Sequence, residues 1–134
     1  MDRIIELIVK DELRVNALAC VHQLHLPNCY LAAGFVRNLV WDHLHQKIVP
    51  TLLNDVDVIY FDESESNPEL YQLAEAQLFE MMPSLNWQVR NQAIMHKRNG
   101  DKPYFNIIDA MSYWPEKETA VAIRKLENGR YECI

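Results

Sequence analysis

The chain has 134 residues, of which 49% are hydrophobic, and a formal net charge of −6 at pH 7. This length and composition predict a single domain over residues 1–134 with one apolar core. The acidic balance argues against a basic nucleic-acid-binding surface, and no apolar run is long enough to span a membrane. The three cysteines have no paired spacing and no secretory pattern precedes them, which indicates a cytoplasmic protein.

The predicted elements alternate between helices and strands. Residues 2–23 have apolar residues at helical spacing and predict one or two amphipathic helices, which Pro27 ends. Further elements are expected as a strand over Cys29–Ala33, a helix over Val36–His45, a strand over Val56–Phe61, a helix from Ser66 or Asn67 to Met82, a strand over Trp87–Asn91, a helix over Asn106–Tyr113, and a hairpin of Ala120–Leu126 and Arg130–Ile134. This mixture predicts an α/β (α+β) fold, a small mixed β-sheet flanked by helices.

The helix ending at Met82 has apolar residues that we expect to face the core. These are Leu70, Leu73, Leu78 and Phe79.

Two aspartates open the second predicted strand. Side chains alternate faces along a strand, so Asp55 and Asp57 point the same way. Two adjacent carboxylates repel each other unless they lie in water, share a proton or hold a cation. Mg²⁺ (or Mn²⁺) suits such a pair, because Mg²⁺ takes one or two carboxylates together with substrate phosphates. A solvated strand end is the alternative interpretation, since Asn-Asp is also common in turns.

The segment before this strand has the pattern strand, glycine turn, helix. Gly34 allows a tight turn and a close approach of the backbone to a ligand. Arg37 lies in the first turn of the helix, where exposed amides and the helix dipole attract anions. An arginine at that place can clamp a phosphate. An anion site and a carboxylate pair together indicate a nucleoside triphosphate site.

These motifs carry a family resemblance. Ala33-Gly34-Phe35-Val36-Arg37-Asn38 followed by Asp55-Val56-Asp57 resembles the head-domain signature of the nucleotidyltransferase superfamily, as in CCA-adding enzymes and bacterial poly(A) polymerases. The segments LAAGFVRNLVWDHLH, LNDVDVIYFD, WQVRNQAIMHKRNGDKPY and DAMSYWPEKETAVAIR resemble, more closely, an uncharacterised bacterial family of nucleotidyltransferase-like proteins. The likeness covers roughly residues 30–125. Against that family the chain is expected to be short at its C-terminus.

The resemblance implies roles for particular residues. Asp55 and Asp57 are implied as catalytic metal ligands, and Gly34, Arg37 and Asn38 as contacts to the nucleotide. Two positions depart from the superfamily pattern, because Ala33 replaces its first glycine and Asn38 its last aspartate.

A third carboxylate, usual on a later strand in active members, is also missing. We place Arg90 and Asn91 at that position and expect both to contact the nucleotide or its phosphates.

A small basic cluster follows this third strand, and within it His96 is a further candidate for a phosphate contact. For Trp41, Trp87 and Trp114 core packing is the expected role, with stacking on a base as the alternative. Tyr104 is the better stacking candidate.

The first hypothesis is a metal-dependent nucleotidyltransferase that moves a nucleoside monophosphate from an NTP to an acceptor hydroxyl. The acceptor (a small molecule, a protein or RNA) stays open, and the acidic surface favours the first two. The alternatives are a nucleotide-binding or regulatory module without turnover, and an interaction domain with a degenerate site.

Overall fold

The computed structural model of the chain describes residues 2–46, 51, 53, 55–65, 69–100, 102–115 and 120–134. The helices and strands alternate along it, as the sequence predicts. They are α1 (Asp2–Val9), α2 (Glu12–His22), β1 (Tyr30–Ala32), α3 (Gly34–Leu44), β2 (Asp55–Tyr60), α4 (Leu70–Met81), β3 (Asn86–Asn91), a 3-10 helix (Gln92–Ile94), α5 (Met95–Asn99), α6 (Ile107–Ser112), β4 (Ala122–Lys125) and β5 (Tyr131–Cys133).

Within the described residues the strands form one sheet in the order β3-β2-β1-β4-β5. β2 and β3 are parallel and are joined through α4, whereas the other neighbouring pairs are antiparallel. The predicted fold class, a small mixed sheet flanked by helices, is therefore confirmed.

The two faces of the sheet pack against different helices. Leu31, Val58 and Val89 lie on the face covered by α1 to α4, and each such fully buried side chain contributes about 1.5–3 kcal/mol. Tyr30 and Ile59 lie on the opposite face, which packs against the 3-10 helix and α6. Because side chains alternate along β2, Asp55 and Asp57 share the face of Ile59, on the side of α6.

A buried arginine fixes the start of α3 against α2. Arg14 donates from its Nε to the carbonyl of Phe35 at 2.6 Å and pairs with the Asp11 carboxylate at 2.8 Å. Its guanidinium also lies 5.5 Å from the centre of the Phe35 ring. Asp11 in turn caps α2 by accepting from the Arg14 amide. The first turn of α3 is therefore held by a charged, hydrogen-bonded contact that the sequence did not indicate.

The predicted core-facing side of α4 was largely wrong. In α4 only Ala74 and Leu78 are buried, while Leu70, Leu73 and Phe79 are exposed. The reason is that α4 lies along the edge strand β3 and covers it with only a narrow strip of the helix surface. The caps predicted for this helix, Ser66 and Asn67, lie outside the described residues. The chain also turns helical directly after β3, in a segment for which we made no prediction.

Candidate functional site

The two aspartates lie where β2 begins. Asp55 is exposed and accepts a hydrogen bond at 2.7 Å from the side-chain amide of Asn86, its neighbour on β3. Asp57 is half-buried. Both side chains face the same side of the sheet, as predicted from the period of a strand.

The electrostatics of Asp57 favour a bound positive charge. The pKa of its carboxyl is raised above the usual value, first because burial disfavours the charged form and second because Asp55 is negative. The positive charges of Arg90 and Arg37 oppose this rise in the pKa. A cation between the two carboxylates would relieve both the repulsion and the loss of hydration.

The turn from β1 into α3 is made at Ala33. Its backbone has φ 58° and ψ −127°, a conformation that residues with a Cβ rarely adopt. We had predicted that the turn uses the conformational freedom of Gly34, so the predicted position of the unusual backbone conformation was wrong by one residue. The Ala33 amide donates to the carbonyl of Val121 at 3.0 Å, which ties the turn to the segment before β4.

Helix α3 therefore presents its N-terminus beside the aspartates. No side chain caps it, and the amides of Gly34 and Phe35 have no acceptor within a helix that begins at Gly34. Ala32 pairs with Asp57 across the two strands, and α3 starts two residues later. This register brings an anion-attracting helix end next to a cation-attracting carboxylate pair.

Arg37 and Asn38 fold back over the first turn of α3. A Cβ on Gly34 would lie 3.4 Å from the Asn38 Nδ2 and 3.6 Å from an Arg37 guanidinium nitrogen. The two side chains also contact each other, with the Arg37 Nε donating to the Asn38 Oδ1 at 3.4 Å. Because Arg37 lowers the pKa of Asp57, its charge acts on the carboxylate pair as well. The structure brings together Gly34, Arg37, Asn38, Asp55 and Asp57.

The neighbour of Asp57 on β3 is Gln88, and Arg90 pairs with Ile59 one step further on. Arg90 lies on the face of Asp57 and Asn91 on the opposite face, so our placement of Asn91 at the position of the third carboxylate was wrong. The placement of Arg90 there stays a prediction. Gln88 is uncharged, so the described part of this sheet face offers no third acid beside the pair.

Asn91 has a structural role on the opposite face of β3. Its side chain is buried, caps the 3-10 helix by accepting from the Ala93 amide, and bonds both to the Asp62 backbone and to Glu65. Glu65 also accepts from the Tyr60 hydroxyl at 2.6 Å. These bonds fasten the segment after β2 to the end of β3.

Arg90 and His96 are both engaged within the fold. The Arg90 guanidinium lies 3.5 Å from the Glu75 carboxylate and 5.7 Å from the centre of the Tyr71 ring. The His96 Nδ1 lies 3.0 Å from the Ala93 carbonyl oxygen, and its ring meets that of Tyr104 edge-on. Arg90 nevertheless borders the site, since its charge lowers the pKa of Asp57.

A cavity of about 360 Å³ extends from Asp57 along this face of the sheet. It is lined by Ala33, Asp57, Val58, Ile59, Gln88, Arg90, Gln92, Met95, Trp114 and Pro115. Trp114 is half-buried at this cavity and packs against the core cluster on this face, so its expected core packing is confirmed and stacking on a base stays a prediction. Trp87 is buried in the core, Trp41 is exposed, and Tyr104 is buried against the rings of His96 and Tyr113.

Comparisons with known proteins agree with this geometry. A family model described as nucleotidyltransferase matches residues 19–134. A solved NMR structure, described as revealing a CCA-adding enzyme head domain, is 33% identical, with a TM-score of 0.84 over 100% of this chain and 70% of that chain. A comparison with curated proteins gave no match.

The chain therefore belongs to the nucleotidyltransferase family, as its sequence motifs suggested. Proteins of this class transfer phosphorus-containing groups, and membership implies a nucleoside triphosphate as substrate. Among the described residues, no helix has the length and apolar character needed to cross a bilayer.

Proposed function

We propose that the chain is a metal-dependent nucleotidyltransferase whose site comprises Asp55, Asp57 and the N-terminus of α3. The observation that carries the proposal is the pairing of Ala32 with Asp57, which sets the free amides of Gly34 and Phe35 beside the carboxylates. A triphosphate bound along this edge meets hydrogen-bond donors at one end and a metal-binding pair at the other.

The residues present fit a divalent cation such as Mg²⁺ or Mn²⁺. In the described part of the chain, no three His, Cys, Asp or Glu side chains are grouped closely enough to hold a metal alone. Two carboxylates, however, are the usual protein share of a Mg²⁺ site that is completed by phosphate oxygens and water. Asp55 and Asp57 would hold the ion, which when bound neutralises charge on the phosphates.

The other residues position and neutralise the substrate. The acceptor hydroxyl attacks the α-phosphorus, the bond from that phosphorus to the bridging oxygen breaks, pyrophosphate leaves, and the hydroxyl proton passes to solvent. The α3 amides and the Arg37 guanidinium stabilise the negative charge that moves onto the pyrophosphate. Asn38 holds Arg37 over the helix end. The net charge of −6 favours a small molecule or a protein over RNA as the acceptor.

A second candidate function is nucleotide binding without turnover. Gln88 favours it, because an uncharged amide beside Asp57 gives a second metal ion less support than a carboxylate would. Paired metal ions stabilise both the attacking and the leaving oxygen in many phosphoryl transfers.

Two assays on the same variants separate the functions. Equilibrium binding of an NTP with Mg²⁺ is expected to be lost in Asp55→Asn and Asp57→Asn while the fold is kept. Glu80→Gln, an exposed carboxylate on α4, is the matched control and is expected to bind as the wild type does. Pyrophosphate release with candidate acceptors then distinguishes transfer from binding alone. Full binding and turnover in both aspartate variants would remove them from the mechanism.

A further inference from the structure

Gln92 is a buried polar residue at the inner wall of the cavity. It is the first residue of the 3-10 helix that Asn91 caps, and it is only 5% exposed. It lines the same cavity as Asp57 and Trp114. Neither the sequence motifs nor the proposed phosphate and metal contacts give this side chain a role.

The carboxamide of Gln92 has no hydrogen-bond partner among the described residues, although its neighbour Asn91 is fully engaged. No side-chain nitrogen or oxygen in that part of the chain is both sealed from solvent and unpaired. The unpaired amide atoms of Gln92 therefore retain a small solvent exposure, and Gln92 is one of the residues that line the cavity. A nearly buried amide with free donors and an acceptor is costly unless water or a ligand completes its bonds.

The rest of the cavity suits a flat ring. Trp114, with its indole, and Met95, with its thioether, line it, and Ile59 contributes apolar surface from β2. Aromatic and sulfur groups pack well against planar rings. Asp57 lies at the same cavity, so a ligand with its phosphates at Asp57 and α3 would extend its other end toward Gln92.

We infer that this cavity is the nucleobase subsite and that Gln92 hydrogen-bonds the edge of the base. The inference rests on the proposed NTP-binding function and adds to it the residue that contacts the base. A carboxamide offers a donor beside an acceptor, and base edges present the complementary pair. Phosphate, which only accepts, matches half of that pattern.

The test compares a nucleotide with a probe that has no base. Binding of MgATP and of Mg²⁺ with inorganic tripolyphosphate is measured by calorimetry for the wild type and for Gln92→Met, which keeps the length of the side chain and removes the amide. Gln92→Met is expected to weaken MgATP by about five- to 150-fold, the range of a two-bond base contact, and to leave tripolyphosphate unchanged. Gln77→Met, an exposed position on α4, is the matched control and is expected to change neither.

A spectroscopic measurement on the wild type keeps the inference testable if the variant does not fold. The side-chain amide signal of Gln92 in a nitrogen-proton correlation spectrum is expected to shift with MgATP and to stay in place with tripolyphosphate. Equal effects of Gln92→Met on both ligands, no effect on either, or a side-chain signal that MgATP leaves unmoved would overturn the base contact. Tripolyphosphate binding that needs Asp57 would still uphold the phosphate site, whereas absence of binding by both ligands would overturn both proposals.

Discussion

Replacing Ala33 by glycine is expected to stabilise the protein, although glycine usually destabilises ordered segments. Ala33 has φ 58° and ψ −127° at the turn into α3. A residue with a Cβ in such a sparsely populated region costs on the order of 1–3 kcal/mol. Glycine adopts this region without that cost. The amide of Ala33 donates to Val121, and a glycine keeps that bond.

The expected gain follows from two opposing contributions. Relief of the strain favours glycine by about 1–3 kcal/mol, and the greater freedom of glycine in the unfolded chain opposes it by about 0.5–1 kcal/mol. The difference is about 0–2.5 kcal/mol in the free energy of unfolding, centred near 1 kcal/mol. For a chain of this size the central value corresponds to a rise of roughly 4 °C in Tm.

Urea unfolding of Ala33→Gly and of a matched control measures the effect. Ala19→Gly makes the same chemical change inside α2, at a half-buried helical position, and is expected to lower the free energy of unfolding by about 1 kcal/mol. The two substitutions should therefore act in opposite directions. If Ala33→Gly destabilises the protein as much as Ala19→Gly does, the backbone at Ala33 is not strained and the account of this turn is wrong.

Three further results are expected. Asp57→Asn should raise Tm of the metal-free protein at pH 7, because folding raises the pKa of the Asp57 carboxyl. The gain in Tm should vanish below pH 3.8, the ordinary pKa of this group, where Asp57 is protonated in both the folded and the unfolded state. An equal gain at both pH values would contradict this. Glu75→Gln keeps the acceptor for the Val89 amide and removes only the half-exposed ion pair with Arg90, so urea unfolding should show a loss under about 1 kcal/mol. Burial raises the pKa of the Cys29 thiol to about 12, so an aromatic disulfide reagent at pH 8 should modify this thiol only after unfolding. The contribution of Cys29 to the free energy of unfolding should be lost as the pH rises from 9 to 12. Rapid modification of Cys29 in the folded protein, or an alkaline loss unchanged in Cys29→Ala, would count against that burial.

The sequence predicted the parts of the site that depend on local pattern. The period of a strand places Asp55 and Asp57 on one face whatever the rest of the fold does. The glycine turn and the apolar spacing after it predicted α3, and with it the position of Arg37 in the first turn. These features need only neighbours a few residues apart.

What the sequence could not predict depends on pairing between distant segments. The residue beside Asp57 is set by the register of β2 and β3, so Gln88 could not be chosen over Arg90 in advance. Asn91 was predicted as a site residue because it is polar and ends a strand, yet its side chain lies on the other face of β3 and caps the 3-10 helix. Gln92 was not predicted as a site residue, because its unpaired amide and its place in the cavity lining are visible only in the folded structure.

The central claim is that a metal-bound triphosphate lies between the β2 aspartates and the N-terminus of α3. Titration of the purified protein with ATP, with and without Mg²⁺, while backbone amide signals are followed, tests it most directly. The account predicts Mg²⁺-dependent shifts concentrated at Gly34, Phe35, Arg37 and Asp57. It is contradicted if millimolar MgATP moves none of these signals. It is also contradicted if MgATP moves only signals around a different cavity, which lies between α2 and β4 and is lined by His22 and Lys125.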